Sequence, residues 1–319
     1  MKFCVFLKMR VRESILRDIG RLIIWYPVRW FITFLPTKID FLFFKILGDI
    51  AFIFQKSKRD LLLSRFSAYL TYPDEKILKE FVRKNIENHF IDRLHIFLYP
   101  RLRLSLKRTL ITIAGEEKLR KSLAKGNGVI LLHGHFGPIQ LQLLELSRRG
   151  YDISQIGFLS DDNLSYIGKK VAFRLRGLCE SKIGAKIIRA DGFLREAFRT
   201  LKKGGIIMMT GDGAGAGKFI GKYSPVKFLG ERMLFPTGAY SLSDRTGAEI
   251  LPVTIHRQRY DRYCINIYEP LIESTDGESD NPPQDFAEFL EDKVSSYPCH
   301  WHFWDDFIPG KLILDDKET

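Results

Sequence analysis

Residues 128–138 read Gly128-Val-Ile-Leu-Leu-His-Gly-His-Phe-Gly-Pro138, and they set the expectation for the fold. Four consecutive aliphatic residues led by a glycine predict a short strand that is buried on both faces. The proline fits the first turn of a helix. Leu141 and Leu144 continue at helical spacing, and Gly150 supplies a stop signal. A buried strand that runs directly into a helix is typical of a sheet with helices on its faces.

The same alternation of strand and helix continues toward the C-terminus. Further strands are predicted at Ile153–Leu159, Ala185–Ile188, Gly205–Thr210, Glu249–Ile255 and Tyr263–Tyr268. Helices are predicted at Asn163–Leu178 and Gly192–Leu201, with a last helix reaching Ser295 after a polar loop over Asp276–Asp285. We therefore predict an α/β fold with a mostly parallel central sheet flanked by helices.

The N-terminal part has a different character and is predicted to be helical. Its segments are a basic opening to about Arg21, the aromatic-rich runs Leu22–Pro36 and Phe41–Phe54, then Lys56–Tyr69 and Asp74–Tyr99. Arg101–Ala114 alternates in hydropathy and predicts a strand that leads into the second half. We expect a helical segment over residues 1–100 and an α/β domain over residues 101–319.

The positive charge is concentrated at the same end. Residues 1–125 hold 26 Lys and Arg against 12 Asp and Glu, a net charge of +14, so the remainder of this +12 chain is close to neutral. Cations combined with many Trp, Tyr and Phe favour contact with an anionic bilayer over contact with nucleic acid, for which no motif is present. Neither aromatic-rich run is a clean spanning helix, since each contains charges. Two interpretations of these runs stay open: helices buried against the domain, and helices that lie at a membrane interface.

Other classes of site find little support in the sequence. Four cysteines stand singly, without disulfide or zinc spacing. The glycines over residues 211–217 match a nucleotide loop only loosely. His300 and His302 are spaced for a metal, but no third ligand is apparent nearby except Asp305 and Asp306. We predict no metal and no cofactor.

The histidines that follow the first strand are the strongest candidates for chemistry. His133 and His135 lie where active sites of open α/β sheets occur, beyond the carboxyl end of a strand. A histidine there is able to deprotonate a hydroxyl for attack on an acyl carbonyl. Gly134 and Gly137 permit a close approach of substrate to the backbone, and the N-terminus of the next helix would face an oxyanion or a phosphate. The alternative is a strand-to-helix turn in which the histidines form only structural hydrogen bonds.

Several collinear segments carry a resemblance to a known family. They are His135-Phe-Gly-Pro-Ile-Gln140, Arg189-Ala-Asp-Gly192 with Leu201-Lys-Lys-Gly204, Thr210-Gly-Asp212-Gly, Pro225-Val-Lys-Phe-Leu-Gly230, Pro236-x-Gly238-Ala, Thr246-Gly-Ala-Glu-Ile-Leu-Pro252-Val and Tyr297-Pro-Cys-His-Trp-His-Phe-Trp304. Over roughly residues 20 to 307 the chain resembles the bacterial lipid A late acyltransferases, a branch of the lysophospholipid acyltransferase superfamily. The first segment is similar to their His-x4-acid motif, with glutamine at the acid position.

The resemblance implies a reaction and a set of roles. His135 would be the general base, and Gln140 would orient it in place of the family's carboxylate. Three outcomes stay open: another carboxylate substitutes, turnover is slow, or only binding is retained. The candidate substitutes are Glu145, Asp161, Asp162 and Asp212, and the substrate-binding candidates are His133, Gly137, Arg174, Arg176, Arg189 and Asp212.

The implied partners follow from the same resemblance. The donor would be an acyl carrier protein or CoA thioester, the acceptor a glycolipid hydroxyl, and the place of action the cytoplasmic face of the bacterial inner membrane, with peripheral or monotopic attachment. A non-catalytic lipid-binding relative is the alternative from a different functional class.

Overall fold

A computed structural model describes residues 14–72, 74–102, 110–157, 164–192, 194–213, 220–259, 261–271 and 281–314 of the chain. Its N-terminal part is helical, as the sequence predicts. The helices are α1 (Ile15–Ile23), which passes through a π-helical turn (Ile24–Val28) into α2 (Arg29–Phe34), then α3 (Thr37–Phe54), α4 (Lys56–Tyr69) and α5 (Glu75–Leu102). Ser14 caps α1 by accepting a hydrogen bond from the Arg17 amide at 3.3 Å. Pro27 lies inside the π-helical turn, where its missing amide hydrogen would break an ordinary helix.

One sequence expectation in this part needs correction. The alternating segment Arg101–Ala114 is not strand from its start, because α5 continues to Leu102 and the first strand, β1, covers Leu110–Ala114. The alternating leucines at 104 and 106 lie outside the described residues. Helix α5 therefore ends three residues beyond the predicted helix Asp74–Tyr99.

The second half of the chain contains the predicted sheet. Its elements in chain order are α6 (Glu116–Leu123), β2 (Val129–His133), α7 (Ile139–Arg148), β3 (Ile153–Gly157), a π-helical segment (Gly168–Phe173), α8 (Arg174–Glu180), β4 (Lys186–Arg189), α9 (Arg195–Lys202), β5 (Ile206–Thr210), β6 (Tyr223–Phe228), β7 (Glu231–Pro236), α10 (Gly238–Thr246), β8 (Glu249–Arg259), β9 (Arg262–Ile267) and α11 (Pro282–Ser296). Short 3-10 helices follow at Pro298–His300 and His302–Asp305.

Seven strands form one sheet in the order β1-β9-β8-β2-β5-β3-β4. Every neighbouring pair is parallel except β8 and β9. Strand β2 lies in the middle and is buried along its whole length, as its run of aliphatic residues predicts. Strands β6 and β7, which the sequence pattern does not reveal, form a separate antiparallel hairpin whose turn places Leu229 and Gly230 at positive φ.

Side chains on the two faces of the sheet form two hydrophobic clusters, and α5 contributes to both. Val82 and Ile86 of its first half pack in the cluster that contains α9, α10 and α11. Leu94 and Leu98 of its second half pack with α7 and the opposite face of the sheet. The helix therefore joins the N-terminal segment to the half of the fold that contains the sheet through shared cores.

Helices α1 to α3 and the π-helical turn also present a large apolar surface to the outside. We call this surface the apolar face. It comprises Ile15, Leu16, Ile19, Ile23, Ile24, Tyr26, Trp30, Phe31, Phe34, Ile39, Leu42, Ile46, Ile50, Ile53 and Phe54, each at least 45% exposed. Monomeric proteins seldom expose contiguous apolar surface on this scale unless it contacts something. No helix within the described ranges combines the length and the apolar composition needed to cross a bilayer.

Candidate active site

The strand register brings His135 and Asp212 together. Strands β2 and β5 are parallel neighbours, and His133 at the end of β2 is paired with Thr210 at the end of β5. The amide of Gly211 extends the ladder by donating to the His133 carbonyl at 2.8 Å. His135 and Asp212 each lie two residues beyond this last pair, so both stand at the same carboxyl edge of the sheet.

The two side chains form a histidine–carboxylate dyad. Nδ1 of His135 lies 2.7 Å from Oδ1 of Asp212. The other carboxylate oxygen, Oδ2, accepts the backbone amide of His135 at 2.7 Å and the indole Nε1–H of Trp301 at 2.9 Å. Asp212 itself is completely buried. A buried carboxylate held by several donors keeps a fixed orientation, and so it fixes the tautomer and tilt of the imidazole.

The imidazole of His135 is open on its other side. One ring face stacks on Phe303, with the centroids 4.0 Å apart and the planes 27° from parallel. A quarter of the side chain is exposed. Across the described ranges, no protein group forms a hydrogen bond with Nε2. Nε2 is therefore free to accept a proton from a hydroxyl that enters from solvent.

Glycines make this close packing possible. A Cβ on Gly134 would lie 2.8 Å from Leu290 Cδ1 and 3.1 Å from Asp212 Oδ2. Gly137 has a φ of +69°, and a Cβ there would lie 2.1 Å from the carbonyl oxygen of Ile255. Gly137 is predicted from the sequence to bind substrate, and the structure adds a steric reason for a glycine at this position. Any larger residue would push the turn away from β8.

Gln140 does not occupy the place that the family resemblance implies. Its Nε2 lies 3.5 Å from Oε1 of Gln155 on β3, and its Oε1 has no hydrogen-bond partner in the parts of the chain that are described. The Nδ1 position of His135 is filled by Asp212. The expected hydrogen bond between His135 and Gln140 is thus absent, because the imidazole turns toward the end of β5 and away from the first turn of α7.

The other carboxylates considered as substitutes do not serve His135. Glu145 is buried within α7 and forms ion pairs with Arg148 and Arg149. Asp161 and Asp162 lie outside the described residues. Asp212, which is predicted both as a substitute acid and as a substrate contact, has no exposed surface in the structure.

His133 lies inside the protein, although it was expected to contact substrate. Only 1% of the residue is exposed, and Nδ1 lies 2.9 Å from the carbonyl oxygen of Gly134. Burial lowers the pKa of His133 to about 4, so the ring is neutral at physiological pH. The second histidine of the pair, and not the first, reaches the surface.

The three arginines are exposed, and Arg189 lies on a strand distant from the dyad. Arg189 ends β4, three strands from β2 or roughly 14 Å at the usual strand spacing, and it forms hydrogen bonds with both oxygens of Asp191. Arg176 pairs with Glu180 on α8, and Arg174 begins the same helix. These hydrogen bonds and ion pairs of Arg176 and Arg189 are formed with residues other than His135. At the start of α7, the amides of Ile139 and Leu141 donate to the carbonyl oxygens of Gly137 and Pro138. These two N–H groups of the helix N-terminus therefore already have acceptors within the protein.

The C-terminal histidines have structural partners. The amide of Arg257 donates to Nε2 of His300 at 3.2 Å. Nε2 of His302 lies 2.8 Å from Oδ2 of Asp92. Among the residues with described positions, no group of three His, Cys, Asp or Glu side chains is arranged to hold a metal ion.

Sequence reasoning missed the parts played by Trp301 and Phe303. Both belong to the closing motif of the resemblance, where aromatic residues indicate packing or interface anchoring. Trp301 contacts the carboxylate of the dyad, and Phe303 contacts the imidazole. The register of β2 against β5 was the signal that would have paired His135 with Asp212.

Comparison with known proteins shows the family of the chain. None of the curated proteins compared with the chain shows significant similarity to it. A family model described as bacterial lipid A biosynthesis acyltransferase matches residues 13–305, which include the helical segment, the sheet, both members of the dyad and Trp301. Because this match covers most of the 319 residues, the chain belongs to the bacterial lipid A biosynthesis acyltransferase family.

Proposed function

We propose that the protein transfers a fatty acyl group from a thioester to a hydroxyl of a lipid A-type glycolipid, with His135 as general base and Asp212 as the acid that orients it. The observation that carries this proposal is the 2.7 Å contact between Nδ1 of a partly exposed imidazole and a fully buried carboxylate. This arrangement is the base-and-orienter pair found in acyl-transfer enzymes.

In the proposed reaction, Nε2 of His135 takes the proton of the acceptor hydroxyl while that oxygen attacks the thioester carbonyl carbon. The tetrahedral intermediate collapses with cleavage of the C–S bond. The imidazolium returns its proton to the departing sulfur, which leaves as a thiol, and the acyl group stays on the acceptor as an ester. Asp212 stabilises the imidazolium in between, a role that an amide at position 140 would fill poorly.

We place the acceptor side at a membrane surface. The support is the apolar face of α1 to α3, whose aromatic residues Trp30 and Phe34 are 66% and 70% exposed. Such a surface suits the boundary between headgroups and acyl chains. Arg174 and Arg176 lie on α8, which directly follows the π-helical segment that packs against α1. We assign these two arginines, together with Arg189, to binding the phosphates of the acceptor. The cytoplasmic face of the inner membrane is the corresponding location.

The donor side is proposed at helix α9. Arg195, Arg199, Lys202 and Lys203 line a surface cavity of about 520 Å³ beside Phe198. None of these four cations forms an ion pair with another residue in the described ranges. A stripe of this kind suits an acidic carrier protein, and it equally suits the phosphates of CoA.

The test is transfer of radiolabelled acyl groups to extracted lipid A precursors in detergent micelles. Native protein should transfer label, His135→Ala should not, and acyl carrier protein and CoA thioesters should be offered in parallel. The triple variant Arg195→Ser, Arg199→Ser and Lys202→Ser should raise KM for the true donor and leave kcat unchanged. If neither native protein nor variants transfer label while lipid still binds, the protein is a lipid-binding member of the family, and the proposed function is wrong.

A further inference from the structure

The carboxylate of the dyad is itself held by a residue from the far end of the chain. Trp301 is completely buried, and its indole Nε1–H donates to Oδ2 of Asp212 at 2.9 Å. The same oxygen accepts the His135 amide, which leaves Oδ1 for the imidazole. Two donors on one oxygen restrict rotation of the carboxylate about its Cβ–Cγ bond. The direction in which Oδ1 points at His135 is therefore set in part by the indole.

The backbone around Trp301 is fixed to the turn that carries His135. The amide of Gly137 donates to the His300 carbonyl at 2.8 Å, and the amide of His302 donates to the His135 carbonyl at 2.9 Å. Phe136 and Trp301 thus form an isolated antiparallel bridge. These hydrogen bonds hold the main chain of Trp301 against the turn that carries His135.

A second set of contacts holds this segment from the side of α5. The side-chain amide of Asn85 donates to the Trp301 carbonyl at 3.1 Å, and that of Asn88 donates to the Cys299 carbonyl at 2.9 Å. Both asparagines are buried. The indole is thus preorganised before any substrate arrives, as the support of a catalytic group must be.

We propose that Trp301 is a positioning residue of the dyad. It acts only through Asp212, by directing the carboxylate at Nδ1 of His135, and it does not touch substrate. The inference rests on the proposed acyl-transfer function. It assigns to the closing aromatic motif a chemical part beyond packing.

The principal test compares two tryptophans that share one aromatic cluster. Trp304 is also fully buried, its ring centroid is 5.0 Å from that of Trp301, and its Nε1–H donates to the Pro298 carbonyl instead of a carboxylate. Trp301→Phe should lower kcat about 10- to 100-fold with little change in KM, because one hydrogen bond to a charged group is lost. Trp304→Phe removes a similar volume and should change kcat by less than about threefold. Equal losses of kcat in both variants would contradict the proposal.

A double-mutant cycle separates positioning from a general structural defect. If Trp301 acts through Asp212, Trp301→Phe should cost almost nothing further in an Asp212→Asn background. Losses that multiply in the double variant would show that the indole acts independently of the carboxylate. An undiminished rate in Asp212→Asn alone is a distinct result, since it contradicts the proposed dyad itself.

A spectroscopic measurement keeps the inference testable even if Trp301→Phe fails to fold. In protein labelled with ¹⁵N at tryptophan, Asp212→Asn should move the indole N–H resonance of Trp301 and leave that of Trp304 in place. Unmoved Trp301 resonances would overturn the proposal.

Discussion

The first three helices and the carboxyl edge of the central sheet place their large side chains in opposite ways. On α1 to α3, Trp30, Phe34 and Phe54 point outward with at least 66% of their surface exposed. At the sheet edge, Trp301 and Asp212 are fully buried and joined by a hydrogen bond. The helices thus expose what a soluble protein would hide, while the sheet encloses a charge-bearing group that would ordinarily face water.

The two regions meet different physical requirements. An exposed apolar surface is stable when it meets another apolar phase. A buried carboxylate is stable when its hydrogen bonds are satisfied, and Asp212 accepts bonds from an amide, an imidazole and an indole. We expect changes at the edge to affect chemistry and folding, and changes on the apolar face to affect membrane binding alone.

The largest effect is expected from Asp212→Asn, which removes the charge at the sheet edge but keeps the side-chain shape. By analogy with the amide substitution in a serine-protease triad, kcat should fall by about 10⁴-fold. Initial rates of acyl transfer measure it, and unfolding curves show whether the variant is folded. Asp92→Asn is a control at another carboxylate that contacts a histidine. A rate within tenfold of native for Asp212→Asn would mean that the dyad is not catalytic.

Acid pH should destabilise the region around the dyad through its buried neutral histidines. Burial lowers the pKa of His95 and His133 to about 4 and that of His300 to about 3, whereas the unfolded chain titrates near about 6.5. Between these values the unfolded state binds more protons, so stability falls as pH falls. Near pH 5 the loss should reach about 4 kcal/mol per pH unit for three groups.

Urea unfolding at pH 7, 6 and 5 measures this slope. His133→Gln removes one titrating group, so it should reduce the slope by about 1.4 kcal/mol per pH unit. A free energy of unfolding that stays constant from pH 7 to pH 5 would show that these rings are not buried and neutral.

Adding charge to the apolar face should weaken membrane binding without lowering the free energy of unfolding. Trp30 and Phe34 form an exposed aromatic pair with centroids 4.8 Å apart. The double variant Trp30→Glu and Phe34→Glu should weaken binding to anionic vesicles about 100-fold, since roughly 3 kcal/mol of apolar burial is lost. Vesicle sedimentation measures it. Ile187→Glu, at an exposed apolar position on β4, is the matched control. Unchanged sedimentation of the double variant would place the membrane contact elsewhere.

A smaller effect is expected where a glycine permits close packing at the edge. Gly137→Ala should cost about 2 kcal/mol of unfolding free energy from overpacking and backbone strain, because its Cβ would meet the Ile255 carbonyl. Gly126→Ala serves as the control, since Gly126 also has a positive φ but no atom lies within 4 Å of the position that its Cβ would take. It should cost only about 1 kcal/mol. Thermal unfolding that ranks the two variants equally would rule out the steric explanation.

The smallest effect is expected at the position that sequence motifs single out. Gln140→Glu should change the transfer rate by less than about threefold, because residue 140 faces Gln155 and not His135. Gln155→Glu is the control for the added charge, because it introduces the same charge on β3, at the residue that Gln140 faces. A large increase in rate for Gln140→Glu alone would restore the carboxylate of the family motif as the preferred orienter.

Much of the fold could be predicted from the sequence, because its signals are local. The aliphatic run before His133 predicted the central strand, and helix Lys56–Tyr69 was predicted with the bounds it has. The β6–β7 hairpin was missed, since a proline within a short run argues against a strand and Pro225 lies inside β6. The start of the strand after α5 was wrong, because that helix continues to Leu102 and the strand begins at Leu110.

The sequence by itself determined the family, the order of strands and helices along the chain, and the histidine at the end of the central strand. Each of these depends on neighbouring residues or on motifs in fixed order. Which acid serves that histidine was decided only by the tertiary structure. Asp212 and Trp301 are 77 and 89 residues from their partners along the chain, and only the pairing of β2 with β5 and the return of the C-terminal segment bring them within hydrogen-bond distance.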